Sequence, residues 1–156
     1  MNKPLMVLVL LPALPAPLAA QEEFRDFIKL AEVVGGGKSE EKETTHFVIS
    51  APSQATAVLA PHAEQVWSLL AETLGVEPKD KIKIEFYFIG RSARELDGAF
   101  EKYDPDTGTL HFQFDYDWRK DLARGTVGAY LHKLAPERAA QIPAPLFCGL
   151  KAYLGN

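Results

Sequence analysis

Three positions in the C-terminal third of this chain have the spacing that zinc hydrolysis requires, but only one has a suitable residue type. A zinc hydrolase places two histidines four residues apart on one helix, with a general-base glutamate directly after the first. Here His132 stands at the second histidine position, whereas Gly128 and Ala129 stand at the first histidine and the glutamate. Because glycine has no ligand atom and alanine cannot accept a proton, the pattern predicts no catalysis through these positions.

Cys148, the only cysteine, is the other nearby side chain with metal-binding or nucleophilic chemistry. With His132 it supplies one thiolate and one imidazole, fewer than the three or four ligands of a zinc site. A Cys–His nucleophilic pair is an alternative, but no third residue that would orient the histidine is evident. The alternative without chemistry is that Cys148 is a small buried side chain and His132 an ordinary histidine on a helix. We therefore expect no bound metal and keep both residues as weak ligand candidates.

Two further patterns are weaker. The segment Asp104–Gly108 has the first acidic positions of a calcium loop, but its third oxygen position is a glycine and its required glycine is a threonine. We therefore expect a hairpin turn. The other histidines, His46, His62 and His111, lie in separate predicted elements without ligand spacing, which is typical of ordinary surface or core side chains.

The elements that would position these residues alternate between helices and strands. The apolar periodicity predicts a helix over 22–34, strand 45–50, helix 53–74, strand 81–89, short helix 92–100, strand 109–114, a helix ending at 134 and a last helix over 145–154. Ser53 and either Asp117 or Asp121 are the expected N-caps, and Gly75 is the expected C-terminal stop. This order predicts an α+β fold, with a small mixed or antiparallel sheet packed by helices and a helical C-terminal end.

Composition limits the class of protein. The 156 residues include 17 Lys or Arg against 21 Asp or Glu, a net charge of −4 without a basic cluster, which argues against nucleic acid as a partner. A 47% hydrophobic content suits one domain with a real core. A single cysteine excludes an internal disulfide framework.

The first 20 residues have the composition of a secretory signal peptide. Lys3 supplies a positive charge, an apolar stretch interrupted by prolines follows, and small residues precede a cleavage point after Ala20. An uncleaved N-terminal anchor is the alternative. Cleavage predicts a secreted or periplasmic protein without integral membrane association. Residues 21–44 would then form an N-terminal helix and a charged, glycine-containing linker, and residues 45–156 the main domain.

The region from Thr45 to Tyr153 resembles a gluzincin-type zinc metallopeptidase domain of the peptidase MA-like group. The resemblance rests on the strands T-H-F-V-I-S and K-I-K-I-E-F-Y-F, the long helix between them, and the order of the later elements. It also rests on the segment P-x-P-L-F-x-G-L-x-x-Y, which stands in place of the family's P-x-W-L-x-E-G-L-A-x-Y. The resemblance implies a zincin-like fold.

The same resemblance implies roles for individual positions. His132 matches the second zinc-binding histidine, Cys148 stands in place of the glutamate ligand, and Tyr153 matches the aromatic residue that follows that ligand. The zinc of active relatives is not expected here, because Gly128 and Ala129 replace the first histidine and the general base. The chain ends soon after Tyr153, where active relatives continue, so we expect a C-terminally truncated domain.

The leading functional expectation is a secreted, catalytically degenerate metallopeptidase-like domain that binds a peptide or protein. A peptidase cleft binds peptide as an added strand through backbone hydrogen bonds, and that capacity can outlive the metal. Two alternatives stay open. One is an active hydrolase with a rearranged site that uses His132 and Cys148, and the other is a structural extracytoplasmic domain without catalytic activity.

Overall fold

The fold is built on one five-stranded mixed sheet, seen in a computed structural model that describes residues 18–35, 37–88, 96, 99–141, 143, 145 and 149. The helices are α1 (Leu18–Val34), α2 (Ser53–Leu74), α3 (Trp118–Leu134) and α4 (Pro136–Gln141), and the strands are β1 (Glu40–Glu43), β2 (Phe47–Ala51), β3 (Ile82–Tyr87), β4 (Glu101–Asp104) and β5 (Thr109–Gln113). The strand order is β1-β2-β3-β5-β4. β2, β3 and β5 are parallel, and β1 and β4 pair antiparallel at the two edges. The predicted α+β class is confirmed.

One face of the sheet meets α2 and α3 and holds the core. The central strands alternate fully buried and half-buried side chains, as expected of a sheet with one packed face. The buried apolar residues from the strands are Phe47, Ile49, Ala51, Ile82, Ile84, Leu110 and Phe112, with Phe114 directly after β5. Those from the two helices include Leu59, Val66, Trp67, Leu70, Leu122, Val127 and Tyr130. Apolar side chains that recur every two residues in the strands and every 3.6 residues in the helices therefore meet in one apolar layer.

The helix ends follow the predictions in part. Gly75 adopts a left-handed conformation (φ 66°) and donates its N–H to the Ala71 carbonyl, which confirms the stop of α2. The Ser53 N-cap prediction is wrong, because α2 begins at Ser53 and Pro52 holds the cap position without a side-chain hydrogen bond. Asp117 precedes α3 as predicted, although its side chain makes no capping hydrogen bond.

Two strands lie where the sequence predicted none. β1 falls inside the expected charged linker, so the linker prediction is wrong for Glu40–Glu43. Its hairpin with β2 is closed by the Thr44 N–H, which donates to the Phe47 carbonyl at 2.8 Å. β4 likewise precedes the Asp104–Gly108 turn. Both strands are stabilised by backbone pairing to a neighbour and need no apolar alternation of their own.

The turn between β4 and β5 is the expected hairpin. One carboxylate oxygen of Asp104 accepts the Asp106 N–H at 3.0 Å, and the other accepts the Thr107 hydroxyl at 2.8 Å. Gly108 has a positive φ of 68°, which glycine adopts without steric cost. This local network fixes where β4 ends.

The N-terminal helix α1 packs onto the domain through aromatic rings. Phe27 stacks on Phe114 with 5.7 Å between ring centroids and meets the edge of Tyr116 at 5.5 Å. None of the helices among the described residues is long and apolar enough to cross a membrane. The signal peptide and the predicted helix over 145–154 lie wholly or largely outside the described residues, as does most of the predicted helix over 92–100.

Candidate functional site

The three positions with zinc-hydrolase spacing lie on α3 in different environments. Gly128 is buried, and Ala129 is 0% exposed within the core. His132 lies in the last turn, half-buried, with its ring 5.4 Å from the ring of Tyr103 on β4. A carboxylate at position 129 would therefore be desolvated among apolar side chains, whereas His132 lies where α3 meets the sheet edge.

The other two predicted site residues, Cys148 and Tyr153, lie outside the described residues, so their positions relative to His132 are not described. Within the described part of the chain, His, Cys, Asp and Glu form no group of three or more that could hold a metal ion. The described geometry therefore brings together His132 and Tyr103, a contact that sequence spacing did not indicate.

Gly125, one turn before Ala129, allows α3 to lie close against the sheet. A Cβ at this position would come within 2.7 Å of a Leu110 methyl carbon and 3.4 Å of the Glu101 Cβ. Gly125 is therefore explained by packing. The close contact of α3 with β4 and β5 offsets the helix-propensity cost of glycine, which is about 1 kcal/mol.

Gly125→Ala is expected to destabilise the fold by about 1–2 kcal/mol, although alanine is the better helix former. The added methyl group would overlap the side chain of Leu110, which is fully buried and has little room to move. Urea unfolding followed by circular dichroism measures the change. The double variant Gly125→Ala/Leu110→Val should recover part of the loss, and an unchanged or raised stability in the single variant would contradict this packing account.

β4 is an edge strand among the described strands, and its hydrogen-bonding pattern is defined by its partner. Gln113 donates its N–H to the Phe100 carbonyl at 2.8 Å, so this pair is of the hydrogen-bonded type. Pair types alternate along an antiparallel ladder, which makes Lys102 the next residue bonded to β5. The backbone N–H and C=O groups of Glu101 and Tyr103 therefore point away from β5.

The side chains at this edge are divided between the two faces of the sheet. Glu101 and Tyr103 are opposite Phe112 and Leu110, so they share the face that α3 covers. Lys102 and Asp104 project on the other face. Burial, and then the neighbouring Asp104 charge, raise the pKa of the Tyr103 phenol, so it stays a neutral hydrogen-bonding group across the physiological range.

A second polar cluster joins the start of β2 to α2. Glu64 accepts the Thr44 hydroxyl at 2.7 Å and the His46 backbone N–H at 2.9 Å through one oxygen, and the His46 Nδ1–H at 2.6 Å through the other. The His46 ring also stacks on Trp67 with 4.6 Å between centroids. His46, expected to be ordinary, is thus part of a network that fixes the β1–β2 hairpin on the domain.

A pair of carboxyl groups lies where β5 leads into α3. The charges of Asp115 and Asp121 interact, and Asp121 is only 8% exposed. Burial, followed by the charges of Asp121 and Asp117, raises the pKa of Asp115 to about 6. Arg124 offsets part of the charge, with its Nη1 3.4 Å from a carboxylate oxygen of Asp121. Asp121 was predicted as a possible helix cap, and no sequence pattern indicated its proximity to Asp115.

These features define the class of the protein as an α+β domain with a mixed five-stranded sheet and helices packed on one face. Comparison with known proteins gives no match to a family model, a curated protein or a solved structure. A function for the domain must therefore be inferred from its own residues. One feature with a recognised binding mode is the strand β4, which lies at an edge of the described sheet beside α3.

Proposed function

We propose that this chain is an extracytoplasmic, catalytically degenerate metallopeptidase-like domain that binds an extended peptide or protein segment along β4. The observation that carries the proposal is that Tyr103 forms a non-hydrogen-bonded pair with Leu110 and so directs its backbone N–H and C=O away from β5. Outward-directed N–H and C=O groups of an edge strand can bind an added strand by main-chain hydrogen bonds. The neighbouring helix α3 supplies His132 as one wall of the binding edge.

The absence of catalysis is proposed from residue type. Gly128 and Ala129 stand in place of the first ligand and the general base, and Ala129 is fully buried in the core. Zinc would need ligands beyond His132, and peptide binding needs none. The fold can therefore keep a recognition role without a metal.

Tyr103→Pro is expected to weaken peptide binding at least tenfold while the domain stays folded. Proline removes the one N–H at this position, which points away from β5, so the β4–β5 ladder keeps its bonds. Tyr103→Val is the matched control, because it loses the same ring but keeps the N–H. Calorimetry with peptides selected on the wild-type chain by display measures both. Equal loss in the two variants would show that the ring, and not the backbone edge, binds the peptide.

The catalytic alternative is tested on the same preparation. Elemental analysis of the purified mature chain should find no stoichiometric zinc, and incubation with unfolded protein substrates should give no cleavage. Stoichiometric zinc together with chelator-sensitive cleavage would contradict the proposal. Cleavage lost in a folded His132→Ala variant would instead support the rearranged hydrolase.

A further inference from the structure

The strand β1 forms the other edge of the described sheet, on the side opposite to β4. All four of its side chains are exposed, and three of them are acidic. Within the part of the chain that the structure describes, the side chains of Glu40, Glu41 and Lys42 make no hydrogen bond or ion pair. Residues 37–39 before the strand and 44–46 after it are described as well, and the β1 side chains stay exposed between them.

The backbone of β1 directs hydrogen-bonding groups outward at alternate residues. The Thr44 N–H donates to the Phe47 carbonyl at 2.8 Å, so this pair is of the hydrogen-bonded type. Pair types alternate along an antiparallel ladder, which makes Lys42 the next residue bonded to β2. The N–H and C=O groups of Glu41 and Glu43 therefore point away from β2.

We propose that β1 binds an extended, basic segment of a partner protein as an added strand. The main chain of the partner pairs with the outward groups of Glu41 and Glu43, and its side chains are selected by charge. The segment that fits has Lys or Arg opposite each of these glutamates and an acidic residue between them, opposite Lys42. Each opposed pair is then of opposite charge. This basic–acidic–basic order is the same in either strand direction, and no residue of the proposed β4 site takes part.

The charge order of β1 argues against a second copy of the chain as the occupant. A symmetric antiparallel pair of two β1 strands centred on Glu41 or Glu43 places two glutamates opposite each other, and one centred on Lys42 places two lysines opposite each other. Such like-charge pairs destabilise a sheet, and charged edges commonly prevent pairing between copies. The same charges attract a basic segment, and the net charge of −4 of the whole chain favours its approach.

One of the two outward glutamates already has a cation beside it. Lys81 Nζ lies 2.6 Å from a carboxylate oxygen of Glu43 and 2.6 Å from the Thr44 carbonyl oxygen. The Glu43 side chain is still 69% exposed, so its carboxylate can accept a second cation. Glu41 has no such neighbour among the described residues, and its charge therefore contributes most of the selectivity.

The test uses the purified chain and two synthetic peptides with blocked ends. One peptide has Thr-Lys-Glu-Lys-Thr at its centre, and the other has the charge-reversed Thr-Glu-Lys-Glu-Thr. Titration followed by amide NMR should give an affinity for the basic peptide at least about tenfold above that for its charge-reversed partner. Amide hydrogen exchange should slow at Glu41 and Glu43 and change little at Lys42, whose N–H is already bonded to β2.

Matched variants separate the charge of Glu41 from its backbone. Glu41→Gln removes the charge and keeps the N–H, so binding should weaken about threefold. Glu41→Pro also removes the outward N–H while the β1–β2 ladder keeps its bonds, so binding should weaken about fivefold further. Glu72→Gln, an exposed change on α2, is the control and should leave the affinity unchanged. Circular dichroism verifies that each variant is folded.

The outcomes distinguish this inference from the proposed use of β4. Equal losses in Glu41→Gln and Glu41→Pro overturn strand addition, and equal affinity for the two peptides overturns selection by charge. If the basic peptide does not bind, β1 is a protective edge only and the inference is wrong. Binding that is unchanged in Tyr103→Pro supports the β1 site, whereas binding lost in that variant assigns the peptide to β4.

Discussion

Glu64→Ala is expected to lower the free energy of unfolding by about 2–3 kcal/mol at neutral pH, because three donors lose their acceptor at once. The Thr44 hydroxyl, the His46 N–H and the His46 Nδ1–H all donate to this carboxylate. Partial solvent access lets water replace some of these bonds, which keeps the loss below the sum of three buried hydrogen bonds. Chemical denaturation measures the change.

The loss of stability in Glu64→Ala should depend on pH, because the Glu64 carboxyl group titrates. Burial acts to raise the pKa of Glu64, but hydrogen bonds from His46 and Thr44 outweigh it and lower the pKa below the ordinary 4.5. A lowered carboxyl pKa stabilises the fold above its unfolded value, and this contribution is lost as pH falls through the folded value. The difference between wild type and Glu64→Ala should therefore shrink below about pH 4.5. Glu72→Ala, an exposed change on the same helix, is the control and should alter stability by less than about 0.5 kcal/mol.

Asp115→Asn is expected to stabilise the domain by about 1–2 kcal/mol at pH 7. The pKa of Asp115 is about 6 in the fold against an ordinary 3.8, so the folded state holds this proton more tightly than the unfolded chain. A fully buried group with that difference would lose about 3 kcal/mol on ionisation, and the partial exposure of Asp115 reduces this value.

The pH dependence of stability expected from Asp115 has the opposite direction to that expected from Glu64. A raised carboxyl pKa means that stability declines as pH rises from about 3.8 to about 6 and is then constant. Asparagine keeps the size of the side chain but cannot ionise, so this decline should disappear from the variant's profile. Thermal unfolding across pH 4 to 7 measures both profiles. Asp117→Asn should reduce the slope only in part, because the Asp117 charge is one of several causes of the raised pKa of Asp115. A full slope retained in Asp115→Asn would assign the decline to other groups.

The parts of the fold that depend on burial were predictable from the sequence. The apolar spacing from Ser53 to Leu74 and the alternation from Thr109 to Phe114 each describe one buried face, and the structure places them as a helix and a strand of the same core. Gly75 was predictable because a left-handed helix end has a residue preference.

The edge strands and polar clusters were not predictable, for physical reasons. β1 reads Glu-Glu-Lys-Glu and β4 reads Glu-Lys-Tyr-Asp, which carry no alternation because the backbone of a neighbouring strand stabilises them. The Glu64 network and the Asp115–Asp121 pair join residues whose proximity exists only after the helices have packed. The relationship to zinc hydrolases inferred from the spacing at His132 remains a prediction, since Cys148 and Tyr153 lie outside the described residues.

The arrangement of the strands also has a consequence for the route by which the chain folds. The β1–β2 and β4–β5 hairpins each join neighbouring segments, so they can form locally within microseconds. The parallel joins of β3 to β2 and to β5 connect segments separated by a helix or by a long connection, and closing them carries the larger entropy loss. We therefore expect the docking of β3 to set the folding rate, and mutations at Ile82 or Ile84 should slow refolding more than a change at the equally buried Val34 of α1.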